Sequence, residues 1–583
     1  MESIRRISQR GVAETRLDSP WRTLIALLAN VPTVLKLGWR EPIVDFETLR
    51  WVQVGLLGVY AVLFVLDARR GGADRRTFLK ITRPEQVLIV LGVAGGMFAW
   101  QIATLACAGL AAVHLLRYYL RLVQRDIPPG LVFIGSFIGL VAVGTAALKL
   151  PAATPTDRPI STLDAAFTIT SAVSQTGLVV RPTGEGFTRF GQVIILTWIQ
   201  VGALGVIVFG ALLASILGSS FGVRATRTIA EGTEQGWSGQ LSLQRLVTFI
   251  IIFTHAVELV GALVLYYGWP EMWDGAPGIE TDGDRFYHSV FFSVSAFCNA
   301  GFATTENSLQ GLRGHWTPHG VIAPLIVLGA IGFPVLDNIR HVVWSKIKGI
   351  RTEAGGVLVR LNLNTSIILT TTLSVYVIGF VIILLGELTQ TDEPIGLILL
   401  DAHFMNVNRT SGFDTIAPNE MGLLSRLGLI FLMFIGGSPA SVAGGVKMMV
   451  FAVLALTVLS TILGREHTTA FGRTIPDSLV RKSSTLIVLC LGVVLLTTGV
   501  LVATEPQGEG AALLGPFLFE ATSAFATCGL SMGITPELGA PSRMALIFAM
   551  FVGRVGILAF AASLVSVAAA RRTHATYPSE NVV

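Results

Sequence analysis

Four short segments of this chain combine hydroxyl or amide side chains with a single glycine that a bulky apolar residue follows. They read TSAVSQTGL, SVSAFCNAGF, MNVNRTSGF and TSAFATCGL. Glycine lets the backbone turn without a Cβ, and four such turns around one axis present carbonyl oxygens that can replace a cation's water shell. The segments therefore predict a cation selectivity filter. Its predicted residues are Gln175, Thr176, Gly177, Asn299, Ala300, Gly301, Thr410, Ser411, Gly412, Thr527, Cys528 and Gly529.

The spacing of these glycines indicates a repeated unit. The intervals between them are 124, 111 and 117 residues, and each has room for two spans and one short descending helix. Glycine is common here, at 62 of 583 residues, so any single one would be explained by helix packing. Four in register, each between an acidic loop and a long apolar helix, favour a fourfold repeat instead.

The composition requires a membrane around much of the chain. Hydrophobic residues make up 52% and charged residues 14% of the sequence, whereas soluble domains carry about a quarter charged residues. Apolar runs close to 20 residues long are expected to cross the hydrocarbon as helices. Such runs lie at 51–65, 131–148, 248–266, 366–385 and 484–503.

Charged residues lie in alternating loops and predict the orientation. Basic residues cluster at 69–83, 346–360 and 465–482, whereas 271–284 and 387–393 are acidic. The positive-inside rule assigns the basic loops to the cytoplasm. Five arginines precede the first apolar run, and no cleavage pattern follows it closely. We therefore expect a multi-pass protein of the cell (plasma or inner) membrane with a cytoplasmic N-terminus.

Several classes of function have no signature in this sequence. The net charge of +5 follows from the basic loops, so nucleic acid is not an expected partner. The four cysteines form no CxxC, which argues against a zinc site or a disulfide framework. No phosphate-binding or dinucleotide-binding glycine motif occurs, so no cofactor is expected in this chain. The HExxH and GxSxG motifs and paired intramembrane aspartates are also missing, so we do not predict an enzyme.

A glycine-rich segment interrupts the second long helix of the third repeat. It reads FIGGSPASVAGGVK, residues 434–447, and its glycines and proline would break a helix. Irregular backbone at membrane depth must be buried in protein or line a cavity, and a pore offers that cavity. The glycines concerned are Gly436, Gly437, Gly444 and Gly445.

The matching helix of the fourth repeat carries an arginine in the middle of an apolar run. The run reads MFVGRVGILAF, and its arginine is Arg554. A guanidinium at this depth is costly and usually faces a polar interior or a partner. The alternative is an arginine that snorkels to the membrane interface.

The glycine segments resemble the selectivity-filter loops of the Trk/Ktr/HKT superfamily of potassium transporters, in particular its TrkH and KtrB membrane subunits. The resemblance covers residues 129–570 and is most specific in the second and fourth segments. The third segment departs from it at Asn406 and Asn408, and the first departs at Gln175, where an apolar residue is more usual. Glycine in all four segments implies potassium rather than sodium as the ion bound at the filter carbonyls and transported.

The same resemblance implies a gate and partners. It implies that the intramembrane loop with Gly436, Gly437, Gly444 and Gly445 obstructs the path under the filter, and that Arg554 is an electrostatic barrier there. It also implies a homodimer in membrane lipid, controlled by a cytosolic ring of nucleotide-binding RCK subunits of TrkA or KtrA type.

The expected fold is an all-α membrane protein with four tandem helix–pore-loop–helix repeats around one central pore. About three to four extra N-terminal transmembrane helices should precede the repeats, from apolar runs at 23–37, 51–67 and 86–117. The last run is either two short spans joined by a tight turn or one long tilted helix. The predicted units are 1–128 (N-terminal extension), 129–222, 245–347, 362–464 and 482–572 (repeats 1 to 4) and 573–583 (cytoplasmic tail).

Other polar residues carry weaker predictions. His255 and Glu258 are three residues apart on one helix face and are expected to pair inside the bundle. Asp164, Asp401 and Glu520 precede their glycine segments and are expected near the starts of the short helices, where a carboxylate complements the helix dipole.

One alternative function stays open at this point. An ion-coupled secondary transporter, a potassium/sodium or potassium/proton symporter, would use the same scaffold. Alternating-access folds often have inverted repeats with broken helices, whereas these four repeats all run in the same direction.

Overall fold

The structure is a computed structural model that describes most of the chain. The described ranges are 20–41, 44–70, 83–124, 129–220, 240–269, 281–305, 307–349, 360–505 and 514–556. Regular structure in them is helical apart from one antiparallel pair of two-residue strands, β1 (Thr469–Ala470) and β2 (Arg473–Thr474). The all-α prediction is confirmed.

The chain divides into two compact units, each described by itself. The first comprises Met1–Val132 and Leu150–Pro159, and the second comprises Phe133–Lys149 and Ile160–Val583. Helices of the first are α1 (Pro20–Leu28), α2 (Val31–Leu37), α3 (Phe46–Arg70), α4 (Arg83–Phe98) and α5 (Trp100–Gln124).

Two apolar runs of the first unit fold as broken helices. The run 86–117 forms α4 and α5 with a break at Ala99, which is the first of the two predicted alternatives. The run 23–37 is two short helices: α1 ends at Leu28, and α2 begins at Val31 with Asn30 as its N-cap and Pro32 in its first turn. The Asn30 amide then donates to the carbonyls of Ala26 and Cys107, at 2.9 and 3.1 Å. This run is therefore not one span.

The first repeat begins the second unit and contains a long helix, a short helix and a second long helix. These are α6 (Pro129–Leu148), α7 (Thr162–Ser174) and, after the four-residue turn α8 (Thr183–Gly186), α9 (Arg189–Ser220). At 13 residues, α7 is only about 20 Å long. It is too short to cross roughly 30 Å of hydrocarbon.

The second repeat differs from the prediction in its last helix. Its helices are α10 (Gln240–Tyr267), α11 (Asp282–Phe297), α12 (Ala323–Ala330) and α13 (Phe333–Ile347), and a π-helical turn precedes α12. The chain bends by 102° between α12 and α13. Gly332 lies at the bend with a φ of 89°, followed closely by a proline in the first turn of α13. The predicted helix–pore-loop–helix unit has one helix after the pore loop, whereas two helices lie here.

The third and fourth repeats follow the predicted order. The third has α14 (Leu363–Leu388), α15 (Ile395–Asn408), α16 (Leu423–Phe434) and α17 (Met448–Ile462). The break between α16 and α17 falls on the predicted glycine-rich segment. The fourth has α18 (Asp477–Thr504), α19 (Leu514–Ala526) and α20 (Ala540–Val555).

The predicted spans all fall on helices. Among the described residues, α3, α14, α18 and the Thr248–Tyr267 part of α10 are long and apolar enough to cross a membrane, and the bent α12–α13 pair is a fifth candidate. The boundaries of the predicted units stay predictions. The predicted tail, 573–583, and the end of the fourth predicted repeat, 557–572, lie outside the described residues.

Candidate functional site

The four glycine segments form loops at the ends of the short helices α7, α11, α15 and α19. We call residues 175–178, 299–302, 410–413 and 527–530 loops 1, 2, 3 and 4. In loop 1, Thr176 N donates to Ser171 O at 2.8 Å and Gln175 N donates to Ala172 O at 3.2 Å. This pair of bonds is the Schellman motif, which ends a helix through one left-handed residue. Loops 2 and 4 have the same two bonds.

The left-handed residue of these three motifs is not glycine. Gln175, Asn299 and Thr527 have φ of 60°, 54° and 48°. Glycine is the usual residue there, because a Cβ makes the left-handed region unfavourable. The backbone at these three positions is therefore less favourable than it would be with glycine.

The four glycines themselves form a closed ring. Their φ values, 93°, 66°, 86° and 99° in chain order, are all left-handed. A Cβ on Gly177, Gly301, Gly412 or Gly529 would lie 2.6, 2.0, 2.5 or 1.9 Å from the carbonyl oxygen of Ala300, Ser411, Cys528 or Thr176 respectively. The carbonyl before one glycine thus packs against the glycine of a neighbouring loop, in a cycle that returns from loop 4 to loop 1. Since the neighbours are backbone atoms, no larger residue fits without moving a carbonyl.

Hydroxyl and bulky side chains brace the loops. Ser171 Oγ accepts from Gly177 N and Ser523 Oγ accepts from Gly529 N, both at 3.0 Å. In loop 2 the corresponding hydroxyl, on Ser295, donates to Phe302 O at 2.8 Å. The bulky residues after the glycines are fully buried: Leu178, Phe302, Phe413 and Leu530.

Loop 3 has a different construction. Thr410 is not left-handed, and Ser411 N and Gly412 N both bond to Asn408 O, at 2.8 and 3.3 Å. The Asn408 side chain accepts from Phe413 N at 3.1 Å. Asn406, which aligns with the serines of the other loops, instead donates to Tyr376 O at 2.7 Å.

A cavity of about 300 Å³ opens on one side of the ring, and all four glycines line it. Asp414, directly after the bulky residue of loop 3, also lines it. Asp414 Oδ2 accepts from Gln310 Nε2 at 2.6 Å. Burial raises the pKa of Asp414 to about 6, against the lowering effect of its hydrogen bonds. The cavity is thus a wide vestibule with a carboxylate beside it.

The prediction for three other carboxylates was right for one of them. Asp164 lies in the first turn of α7, where it pairs with Arg543. Asp401 and Glu520 lie in the middle of α15 and α19, so their predicted place near the helix starts was wrong. Both bind the loop that follows the ring: Asp401 accepts from Thr415 Oγ1 at 3.0 Å, and Glu520 accepts from Met532 N at 3.0 Å. They hold the outer loops in place.

The interrupted helix of the third repeat forms an ordered loop, residues 435–447, which we call the intramembrane loop. Its ends pair as a parallel bridge between Ile435 and Val446, and Gly436 N donates to Val446 O at 2.9 Å. A Cβ on Gly436 would lie 1.8 Å from Gly444 O. The predicted glycines Gly436 and Gly444 therefore let the two arms of the loop touch.

The intramembrane loop packs against the ends of two other repeats. Ser438 N and Val442 N donate to the last carbonyls of α12, Ala330 O and Gly329 O, at 3.0 and 3.3 Å. A Cβ on Gly444 would lie 2.2 Å from the Thr527 hydroxyl of loop 4. The loop thus contacts residues before the ring glycines, whereas the vestibule is lined by the glycines and residues after them. The two lie on opposite sides of the ring.

Arg554 joins this loop to the ring. It is 5% exposed, near the end of α20. Its Nη1 donates to Val442 O of the intramembrane loop, and its Nη2 donates to Gln175 Oε1 of loop 1. The side chain therefore faces a polar interior and does not reach an interface by snorkelling.

Sequence reasoning missed three features near the ring. Arg409 is buried and donates to Leu432 O, at 2.9 Å, and to Ile435 O, where α16 gives way to the intramembrane loop. Its only signal was a charge in an apolar segment. The bend at Gly332 was signalled by its neighbouring proline. Glu258 does not pair with His255 but contacts Gln200 and Cys298, at 3.3 and 3.6 Å.

Comparisons with known proteins agree with this architecture. A family model described as "TrkH: Cation transport protein" matches residues 134–567. Ktr system potassium uptake protein B of Bacillus subtilis (strain 168) is 32% identical over 472 residues, 79% of this chain and 97% of that protein. Potassium/sodium uptake protein NtpJ of Enterococcus hirae is 31% identical over 471 residues, 79% of this chain and 98% of that protein.

A solved structure has the same fold. The potassium transporter TrkH from Vibrio parahaemolyticus superposes with a TM-score of 0.59 at 14% identity, over 94% of this chain and 99% of that one. The family match spans all four loops, the intramembrane loop and Arg554. The predicted resemblance is confirmed, and the chain, a multi-pass membrane protein, belongs to the TrkH family of cation transport proteins.

Proposed function

We propose that this protein is a potassium-selective, ion-conducting uptake subunit whose selectivity filter is the ring of loops 1 to 4. The observation that carries the proposal is the cyclic packing of the carbonyls of Thr176, Ala300, Ser411 and Cys528 against the four glycines. Carbonyls gathered on one axis can substitute for the water shell of a cation. The four short helices end at these loops, so the negative ends of their dipoles lie near the carbonyls.

Potassium is the proposed ion because the relatives point to it. Two relatives that align with almost their whole length are named for potassium uptake or for potassium and sodium uptake. The second name also supports the other candidate, a transporter that couples potassium to sodium on the same scaffold. Potassium is the transported substrate in both cases.

The gate in this proposal is the intramembrane loop together with Arg554. The loop lies on the side of the ring opposite the vestibule, and the guanidinium bonds to both. A fixed positive charge on the path opposes a cation in a low-dielectric interior. Opening then requires the loop and Arg554 to move apart from the ring. Arg554→Ala is expected to raise conductance.

The proposed assembly and location of the subunit follow from its relationship to the TrkH family. We infer a homodimer in the cell membrane with its N-terminus in the cytoplasm, controlled by a cytosolic RCK-type nucleotide-binding ring. The membership in the TrkH family and the relative that belongs to a Ktr system support this assembly. No cofactor is assigned to the chain itself.

Flux through purified protein in liposomes tests the proposal. Rubidium, as a potassium substitute, and sodium uptake are measured for the wild type and for Gly301→Ser, whose new Cβ would lie 2.0 Å from Ser411 O. The substitution is expected to lower the rubidium rate and the rubidium/sodium ratio. Gly499→Ser is the control, because a Cβ there meets nothing within 4 Å.

Two outcomes would overturn the filter assignment. The first is a wild type that moves neither ion. The second is a rubidium/sodium ratio that Gly301→Ser and Gly499→Ser leave equally unchanged. Sodium required on the same side for rubidium uptake would favour the coupled transporter over the channel.

A further inference from the structure

Gln175 occupies a position where its own side chain is costly. It is the left-handed residue of the Schellman motif that ends α7, with a φ of 60°, and it is 1% exposed. Glycine would relieve the backbone strain, and an apolar residue would avoid burying an amide without water. The chain has neither, so what the amide binds explains its presence.

Both ends of the Gln175 amide are bound. Nε2 donates to Ile199 O of α9 at 3.3 Å, which fixes the orientation of the amide. Oε1 then accepts from Nη2 of Arg554. Because the donor is a guanidinium, this is a charge-assisted hydrogen bond between two buried groups.

The residues equivalent to Gln175 in the other loops have different partners. Asn299 donates to Ile326 O at 3.1 Å and accepts from Thr410 Oγ1 at 2.9 Å, and Thr527 lies against Gly444. Among the described residues, neither Asn299, Thr410 nor Thr527 makes a hydrogen bond to Arg554. Loop 1 alone in this set is tied to the arginine by a side chain.

Arg554 therefore bonds to two different parts of the protein. Nη1 bonds to Val442 O, which belongs to the loop that must move, and Nη2 bonds to Gln175, which belongs to the ring. If Val442 departs, the guanidinium keeps Gln175 as a partner and stays across the path. If the arginine departs, it must break the bond to Gln175 first.

We propose that Gln175 is a positioning residue for the gate, which holds Arg554 against loop 1 and so keeps the conduction path closed. The inference rests on the proposed function, since it assigns a regulatory part to a filter-loop residue. In this proposal the Gln175 amide lowers the basal flux and does not determine which ion is selected. Removing the amide is expected to release Arg554 without moving the ring carbonyls.

The experiment is a double-mutant cycle on basal rubidium flux in liposomes. Gln175→Gly removes the amide and suits the left-handed backbone, so it is expected to raise the basal rate about tenfold, the effect of one lost charge-assisted hydrogen bond on a closed–open equilibrium. Arg554→Ala is expected to raise it as well. The double variant should match Arg554→Ala alone, because the amide then has no arginine to hold.

Two further variants separate positioning from general damage. Gln175→Glu has the same shape and should hold the guanidinium more strongly, so its basal rate should fall below that of the wild type. Ser174→Ala removes a neighbouring hydroxyl that bonds to Thr170 O and Thr176, and it should not raise the rate. The rubidium/sodium ratio should stay at the wild-type value in Gln175→Gly, because glycine accepts the left-handed backbone of loop 1.

The outcomes distinguish a failure of the Gln175 role from a failure of the proposed function. A wild type that conducts, with Gln175→Gly at the wild-type rate or below and Gln175→Glu unchanged, would overturn the role of Gln175 and leave the proposed function intact. Rate increases that add in the double variant would overturn it too. If Gln175→Gly does not yield folded protein, Gln175→Glu still tests the sign of the effect. A wild type without flux would defeat the proposed function itself.

Discussion

Loops 1, 2 and 4 differ from loop 3 in what holds the glycine in place. In loops 1, 2 and 4 the backbone itself supplies the turn, through the two bonds of a Schellman motif around Gln175, Asn299 and Thr527. In loop 3 the turn relies on side chains: Asn408 caps Phe413 N, and Arg409 bonds to the carbonyls at the end of α16. Yet Gly412 has the same left-handed conformation as the other three glycines.

The difference concerns which loop is attached to the proposed gate. Arg409, directly before loop 3, donates to Ile435 O at the start of the intramembrane loop, whereas Gln175 of loop 1 bonds to Arg554, which in turn bonds to Val442 O of that loop. A loop braced by its own backbone can stay fixed when the gate moves. In the proposed gate, movement at Ile435 is expected to reach the carbonyls of loop 3 through Arg409.

The largest expected effect is the loss of flux when a ring glycine, in either kind of loop, is replaced by a residue that has a Cβ. Gly412→Ala and Gly529→Ala should each lower rubidium flux on the order of 100-fold, or about 2.7 kcal/mol in barrier. The new Cβ atoms would lie 2.5 and 1.9 Å from backbone carbonyl oxygens, in a conformation that alanine resists. Stopped-flow flux into liposomes measures both.

Matched controls exist on the short helices themselves. Gly396→Ala on α15 and Gly515→Ala on α19 introduce a Cβ that meets nothing within 4 Å, so both should keep wild-type rates. Near-normal flux in Gly412→Ala alone would show that loop 3 does not belong to the ring as a working member.

Removing Arg409, which braces loop 3, should have an effect of similar size, on stability and not on the filter itself. Arg409→Leu leaves Leu432 O and Ile435 O without their donor in a buried site. The expected loss is about 2–4 kcal/mol in unfolding free energy, seen as a lower thermal midpoint in detergent. Arg158→Leu, on an exposed pair with Asp157, should change it little. An unchanged midpoint in Arg409→Leu would contradict a structural brace.

The sequence was informative where a physical requirement repeats. Close backbone contact requires glycine at four positions, Gly177, Gly301, Gly412 and Gly529. Four glycines in register therefore predicted the loops and their short helices. Apolar runs predicted α3, α6, α10, α14 and α18, because hydrocarbon imposes one length on every span. The glycine-rich run predicted the break after α16.

The missed features depend on contacts between distant parts of the chain. A charge in an apolar segment marks Arg409 but does not identify its partners, which lie 23 and 26 residues away, and the bonded pair Gln175 and Arg554 is 379 residues apart. Alignment also paired Asn406 with the serines of the other loops by position, although Asn408 performs the capping. The bend at Gly332 had a local signal, but a single glycine in an apolar run is usually tolerated within a helix.

A smaller effect should show which residue near loop 3 corresponds to Ser171 and Ser523, whose hydroxyls accept from backbone N–H groups of loops 1 and 4. Ser523→Ala removes the acceptor of Gly529 N, and Asn408→Ala removes the acceptor of Phe413 N. Each should soften one loop by about 1 kcal/mol and lower the rubidium/sodium ratio several-fold. Asn406→Ala should leave the ratio unchanged, because that side chain bonds to α14 and not to the loop. A ratio that responds to Asn406→Ala but not to Asn408→Ala would restore the positional alignment.

The smallest expected effect concerns a charge that loop 3 has and the other loops lack. The residue two after the glycine is Val179, Ala303, Asp414 or Ser531 in chain order, so Asp414 is the one acid of this column. Its carboxyl has a pKa of about 6, raised from 3.8 chiefly by burial and slightly by the charge of Glu420. A raised carboxyl pKa means that the group is negative at pH 7.5 and mostly neutral at pH 5.

Acidifying the vestibule side should therefore weaken the local attraction for cations. The loss of one partly buried charge beside the entrance is expected to lower rubidium flux about two- to threefold between pH 7.5 and pH 5. Asp414→Asn should show the lower rate at both values, with little pH dependence left. The effect should also shrink at high ionic strength, because salt screens the attraction of cations in the vestibule over roughly 10 Å. Acid inhibition that persists in Asp414→Asn would assign the titration to another group and remove this distinction between loop 3 and the rest.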